Sequence, residues 1–295
     1  MDFVEIQLLA AESSLKNALK SFGFSGQRIK KFFPAKLLNT PVKKHQLLKL
    51  PVDLVNHLQI NPIYQGSPCT ILFENDNYLA VHKPRNIHSH PLKYSDTNTV
   101  LNFLVTIGRW DVLNINTENY DRGLLHRLDY ETSGVLILAK NNEFLLNFRE
   151  NFNERMKKKV YLAIVEGDFT QDGSQRHFFK GSGEKGSKQV LSSDIEAQEA
   201  VSEIFKLTSL KNNLTLVMVV LKTGIRHQIR AQLSTLGFPI LGDTLYGGSE
   251  SDRIYLHSWL YQWDFVVRDN DAELFSNFLD LDSALQMASD KVGVL

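Results

Sequence analysis

Four short stretches of this chain carry side chains that can do chemistry. The first, GLLHRLDYETSGVLILAK at residues 123–140, sets His126 and Arg127 just ahead of Asp129 and then runs through Ser133 and Gly134 into an apolar strand. A carboxylate placed this way can serve as nucleophile or base, and a loop feeding a buried strand holds it still. The plainer account is a turn capped by Asp129 with Arg127 paired to it at the surface, a contact of little energetic consequence.

The second stretch, LKTGIRHQIRAQLSTLGFPILGDTLYGG at 221–248, runs a strand into a helix bearing Arg226, His227, Gln228 and Arg230. Free N–H groups and the positive dipole end at a helix start can hold a phosphate or a carboxylate, although a solvated polar face would read the same. The third, HKPRNIHSHP at 82–91, places His88 and His90 on one side of an extended segment, near His82. Metal binding is conceivable there, but no HExxH pattern or cysteine pair accompanies the histidines, and Pro84 with Pro91 suits a rigid wall better; no metal is expected. In the fourth, Lys157, Lys158 and Lys159 precede a strand holding Tyr161. Lysines beside an aromatic suit a nucleic-acid backbone with a stacked base, and equally a basic turn with a core tyrosine.

The elements that must position these groups read as mixed α+β, with strands outnumbering helices and no strict βαβ rhythm. Strands are expected over 134–140, 158–167 and 214–222, a hairpin over ILFENDNYLAVHKP, and a helix from near Gly224 to a glycine stop at Gly237. Residues 1–60 form a small α+β module: helices at 14–22 and 27–33, then extended pieces at 36–38 and 46–50. A linker is placed at 61–69 and a large domain at 70–295.

Charge separates these parts. The 295 residues carry 33 basic and 33 acidic side chains, so the whole gives no direct case for a nucleic-acid partner. Residues 1–60 hold nine Lys or Arg against four acids, a basic front, while residues 264–295 hold seven acids against Arg268 and Lys291, which suggests a solvated end. The single cysteine, Cys69, excludes an internal disulfide framework and suits a reducing compartment. MDFVEIQLLAAESS lacks the basic start and apolar run of a signal peptide, and no stretch is long and apolar enough to span a bilayer. A cytoplasmic monomer with no membrane attachment is expected.

Taken in order, the four stretches resemble the RluA family of pseudouridine synthases over residues 70–265, most specifically in HRLD followed by TSG. The resemblance implies a mainly antiparallel catalytic sheet and isomerisation of uridines in structured RNA, ribosomal rather than transfer RNA being favoured, without a cofactor. It further implies that Asp129 is the catalytic residue, that Tyr161 packs on the target base, that Arg230 pairs with the Asp129 carboxylate, and that Arg127 helps displace the target nucleotide. His126, Arg226, His227 and Lys157–Lys159 would then contact RNA. The blocks LGDTLYGG and RIYLHSW complete the match, and the basic front is faintly similar to the small RNA-binding module often fused to these enzymes. Two departures stand out: Ile225 occupies a customary Arg, with Arg226 one place later, and Asn86 replaces a glycine. The chemistry so implied breaks the bond from ribose to a ring nitrogen and rejoins carbon 5 to the same ribose carbon. The carboxylate could attack the sugar or the base, or deprotonate the adjacent ribose carbon. An RNA-binding protein without catalysis, or a metal-assisted hydrolase on His82, His88 and His90, are the competing classes.

Overall fold

The computed structural model describes residues 2–151, 156–184, 187–269, 278 and 281–292. At the front, β1 (Phe3–Gln7) pairs antiparallel with β2 (Leu47–Pro51), and α1 (Leu15–Ser21), α2 (Gly26–Phe32) and α3 (Ala35–Leu38) lie between them in sequence. Ser14 and Ser25 start the first two helices by accepting from the N–H groups of Asn17 and Arg28. Leu15, Leu19, Ile29, Leu38, Leu48 and Leu50 close a small core of their own. Residues 36–38, expected to be extended, instead form the short α3, because Pro34 sits at its N-cap where a missing N–H costs nothing. The strand β1 was not anticipated; its five residues are half-buried at best, and pairing with β2 defines it.

The segment that follows is strapped down. After α4 (Val52–Val55), Arg28 donates to the carbonyls of Asp53 and Leu54 at 2.9 and 2.6 Å, and the Asp53 carboxylate accepts from Ser95 N at 2.7 Å. Arg122 donates to the Leu58 carbonyl, Asn102 to the Asn61 carbonyl, and the Gln65 N–H to Thr97. Polar residues there bond to the large body rather than to water alone.

That body is built on one mixed sheet. Its strands are β3 (Thr70–Glu74), β4 (Tyr78–Lys83), β5 (Ser133–Ala139), β6 (Lys158–Glu166), β7 (Gly173–Ser182), β8 (Lys188–Leu191), β9 (Gln198–Leu210), β10 (Leu214–Leu221), β11 (Leu256–Gln262) and β12 (Val266–Arg268). The order is β3-β4-β5-β11-β6-β10-β9-β7-β8, with β12 beside β11. Among the described strands only β5 and β11 pair in parallel, and an isolated parallel bridge joins His88 to Thr99. The unbroken apolar runs of β5 and β10 are buried along their whole length, as their sequences require. Helices α5 (Val100–Thr106), α6 (Trp110–Leu113), α7 (Asn142–Glu150), α8 (Gln228–Thr235) and α9 (Leu281–Val292) complete the body.

The helix expected from Gly224 begins four residues later. Residues 222–227 form a turn held by Gln228, whose side-chain oxygen accepts from Thr223 Oγ1 at 2.9 Å and Ile225 N at 3.1 Å, and His227 caps the helix in left-handed backbone at φ 54°. Gly237, at φ 85°, follows the helix where a glycine stop was expected. Asp269, counted with the solvated acidic end, is buried against His82 and His257, while Asp271, Glu273 and Asp280 lie outside the described residues.

Candidate active site

Asp129 stands in the loop that leads into β5, and neighbouring backbone dictates that loop. Gly134, at φ 117°, lies so close to β11 that a Cβ would come within 2.1 Å of the Ser258 carbonyl oxygen, so the parallel contact admits only glycine. On the other side the HKPRNIHSHP stretch grips the loop through three groups. Ser89 Oγ accepts from Leu128 N and donates to Leu128 O, both at 3.1 Å. The N–H of Asn86 donates to the Tyr130 carbonyl at 2.8 Å, with Asn86 at φ 60° in the left-handed region that asparagine tolerates better than most residues. Lys83, fully buried, donates to the carbonyls of Ile87, Pro84 and Tyr130 at 2.8, 3.0 and 3.2 Å. Asp129 is thus fixed from both flanks by backbone contacts that leave its carboxylate free.

The electrostatics of Asp129 are a contest. Solvent reaches 28% of its side chain, yet burial pushes its carboxyl above the ordinary range, with Asp243 adding to the shift, while the charges of Arg230, Arg226 and Lys83 pull it down. Burial in turn lowers Lys83 to about 7, against the raising influence of Cys69, Asp129 and Glu131. His227 Nε2 is 3.9 Å from Asp129 Oδ1, beyond hydrogen-bond reach, and burial with the nearby Arg230 and Arg226 charges holds that imidazole down near 4, so it is neutral at pH 7.

Arg230 departs from expectation in its partner. Its guanidinium forks onto Asp243 through Nε at 2.7 Å and Nη2 at 2.8 Å, and its Nη1 donates to Glu131 at 3.4 Å. It acts on Asp129 through charge, not through the short bond anticipated. The reason is local: Asp243 has no exposed surface, and a carboxylate so buried requires a bidentate partner. Gly242 places Asp243 there, since a Cβ on it would meet the Arg253 carbonyl oxygen at 1.8 Å.

Comparison with known proteins establishes the family. A family model described as RNA pseudouridylate synthase matches residues 77–235. The chain belongs to that family. It is 35% identical over 215 residues to the ribosomal large subunit pseudouridine synthase D of Borreliella burgdorferi, covering 72% of this chain and 65% of that protein, so it spans just under two thirds of that relative's length. It is 31% identical over 256 residues to the uncharacterized RNA pseudouridine synthase YhcT of Bacillus subtilis, covering 83% and 82% of the two chains. Among solved structures, human RNA pseudouridylate synthase domain containing 1 superposes with a TM-score of 0.59 at 20% identity over 74% of this chain and 94% of that one, a likeness of fold.

Within this pseudouridylate synthase fold the other expected residues separate. Tyr161, 7% exposed, shares a hydrogen bond of 2.8 Å with Tyr261, and burial raises its hydroxyl to about 12, the Asp129 charge contributing. His126 lies inward, stacked on Tyr261 with ring centres 4.2 Å apart, and burial lowers it to about 3. Arg127 is exposed and donates to His90 Nε2 at 3.3 Å; His90 Nδ1 lies 2.8 Å from the Pro91 carbonyl, so the proton belongs on Nδ1. Lys157 is exposed and Lys158 partly so, but Lys159 is buried and its ammonium donates to the Thr223 carbonyl at 3.1 Å, bracing the turn before α8 rather than facing outward. Arg226 lies in that turn, not on the helix, and its charge reaches Asp129. Ile225 packs against the small cluster of Phe179, Ala200, Ala231 and Tyr246. His82, His88 and His90 turn to Asp269, Tyr130 and Arg127 respectively, so they do not converge as a ligand set. Lys83, Glu131, Asp243 and Tyr261 were not anticipated as site residues. Lys83 and Asp243 stood in stretches already singled out, but nothing local marked their burial.

Proposed function

We propose that this protein converts uridine to pseudouridine in RNA, ribosomal RNA being the favoured substrate, with Asp129 as the catalytic residue. The observation that carries the reading is the setting of Asp129: a partly accessible carboxylate, rigidly held, with three cationic side chains acting on it and Tyr161 close enough to feel its charge. Each route open to the carboxylate, attack on sugar or base or deprotonation of the ribose, needs it ionised. Arg230, Arg226 and Lys83 favour that form against the cost of burial. The reaction breaks the bond from ribose to ring nitrogen, forms the bond from the same carbon to uracil carbon 5, releases the proton of carbon 5 to solvent and leaves the freed ring nitrogen carrying a proton taken from solvent.

A uridine within stacked RNA must be turned out to reach such a site, which costs a few kcal/mol. Stacking on an aromatic ring is worth roughly 1–3 kcal/mol per base, and Tyr161, which feels the Asp129 charge, is the ring proposed for it. Exposed Arg127, held by His90, can swing into the space the base leaves. The preference for ribosomal RNA rests on the names of relatives from Borreliella burgdorferi and Rickettsia bellii, ribosomal large subunit pseudouridine synthases D and C. The test is tritium release from ribosomal and transfer RNA labelled at uridine carbon 5, with the purified protein and its Asp129→Asn variant. Release by the wild type alone supports the reading; equal release by both proteins removes Asp129 from it. Mapping pseudouridines in RNA from cells with and without the gene then identifies the uridine.

A further inference from the structure

A buried chain of hydrogen bonds leads away from the site. Tyr261, on β11 and 1% exposed, places its hydroxyl 2.8 Å from that of Tyr161 and 3.2 Å from Nδ1 of His126. Its ring lies flat on His126, interplanar angle 21°, and edge-on to Tyr161 at 69°. One phenol therefore touches both the Tyr161 hydroxyl and the imidazole three positions before Asp129. Tyr161 and Tyr261 come from neighbouring strands whose register shifts between Ser258 and Leu260, and this irregularity lets two large rings meet on one face. A tyrosine buried at this depth retains its hydroxyl at a desolvation cost unless the group is bonded, and here it is bonded on both sides. A phenylalanine would fill the same space and stack equally well on His126, so packing does not account for the oxygen.

We propose that Tyr261 is a positioning residue for the reaction, acting through Tyr161: its hydroxyl fixes the orientation of Tyr161 against the target base. This rests on the pseudouridine synthase reading above. Without that oxygen the Tyr161 phenol loses its tyrosine partner and is left with Ser258, and its ring and hydroxyl can adopt more settings at the moment when the freed uracil must turn and present carbon 5.

The experiment is a double-mutant cycle of Tyr161→Phe, Tyr261→Phe and the pair, read by tritium release with kcat and KM separated. Tyr261→Phe should lower kcat roughly tenfold, the factor that one neutral hydrogen bond can supply, with KM nearly unchanged. Placed on Tyr161→Phe, the same change should cost nothing further, because the hydroxyl it acts through is gone. An equal loss in both backgrounds, or no loss in either, overturns the proposal; a purely structural effect would give the former. A second measurement needs no activity: with tyrosine labelled at the ring carbon bearing oxygen, the Tyr161 resonance should move in Tyr261→Phe, and an unmoved resonance is also fatal. An inactive wild type whose Tyr161 resonance still moves would count against the pseudouridine synthase reading and leave the contact itself established.

Discussion

In the role proposed for Asp129, a single side chain trades stability against reactivity. Its carboxyl is raised above the ordinary range in the folded protein, so the folded state holds a proton more tightly than the unfolded chain does. Ionising it at neutral pH therefore opposes folding, and the penalty vanishes as pH falls below the range of the unfolded carboxyl. Asp129→Asn should consequently abolish tritium release while melting at or above the wild-type temperature at pH 7, with the gap closing in acid. A variant that melts well below the wild type at neutral pH would contradict this sign. The same shift places the acid limb of the wild-type rate profile above the usual carboxylate range, and Arg226→Gln should move it higher still, because that guanidinium favours the ionised form. A limb that stays put in Arg226→Gln would remove Arg226 from the electrostatics of the site.

Arg230 belongs to the element scale, since it joins α8 to the segment after it by gripping Asp243. Arg230→Met leaves a carboxylate of zero exposure without its fork, which typically costs about 3–5 kcal/mol. Both activity and melting temperature should fall. Adding Asp243→Asn to Arg230→Met should recover part of the melting temperature and none of the activity, which separates the structural duty of the arginine from its charge on Asp129. Denaturation and tritium release measured on the same three proteins decide this. The loop bearing Asp129 depends in like manner on the preceding stretch: Ser89→Ala removes both bonds to Leu128, and should reduce kcat several-fold while KM holds, since the base-contacting surface is untouched. A change confined to KM would mean that Ser89 does not hold the loop.

For the molecule as a whole the question is how the basic front meets the body. Arg28, Asp53 and Ser95 form a clasp between the front module and the loop that follows the HSHP segment, so the module is fixed beside the catalytic body. Lys30, Lys31, Lys36, Lys43 and Lys44 remain exposed on it. Changing these five to glutamine should weaken RNA binding and flatten its salt dependence by about 0.7–0.9 per lost phosphate contact, depending on whether the RNA there is single- or double-stranded. Binding followed across salt concentrations reads this directly, and an unaltered slope would make the module scaffold.

What the sequence determined by itself is local or periodic. The continuous apolar runs of β5, β6 and β10, the glycine stop after α8, the serine-led helices of the front and the HRLD loop before its strand were all legible, because each depends on neighbours within a few residues. The family followed from the same motifs. Tertiary structure decided which charges meet. Arg230 could be read as a cation on a helix start, but Asp243 claims its fork because the chain turns at Gly242 and buries that carboxylate completely. Lys159 reads as one of three basic residues in a row, and strand alternation with the turn at 222–227 buries it. Tyr261 carries no mark of function until β11 lies beside β6 and brings its hydroxyl to Tyr161. Periodicity states which side of an element is apolar; the partner of a buried polar group is set by the packing of distant segments, where each such group must find a bond or leave the interior.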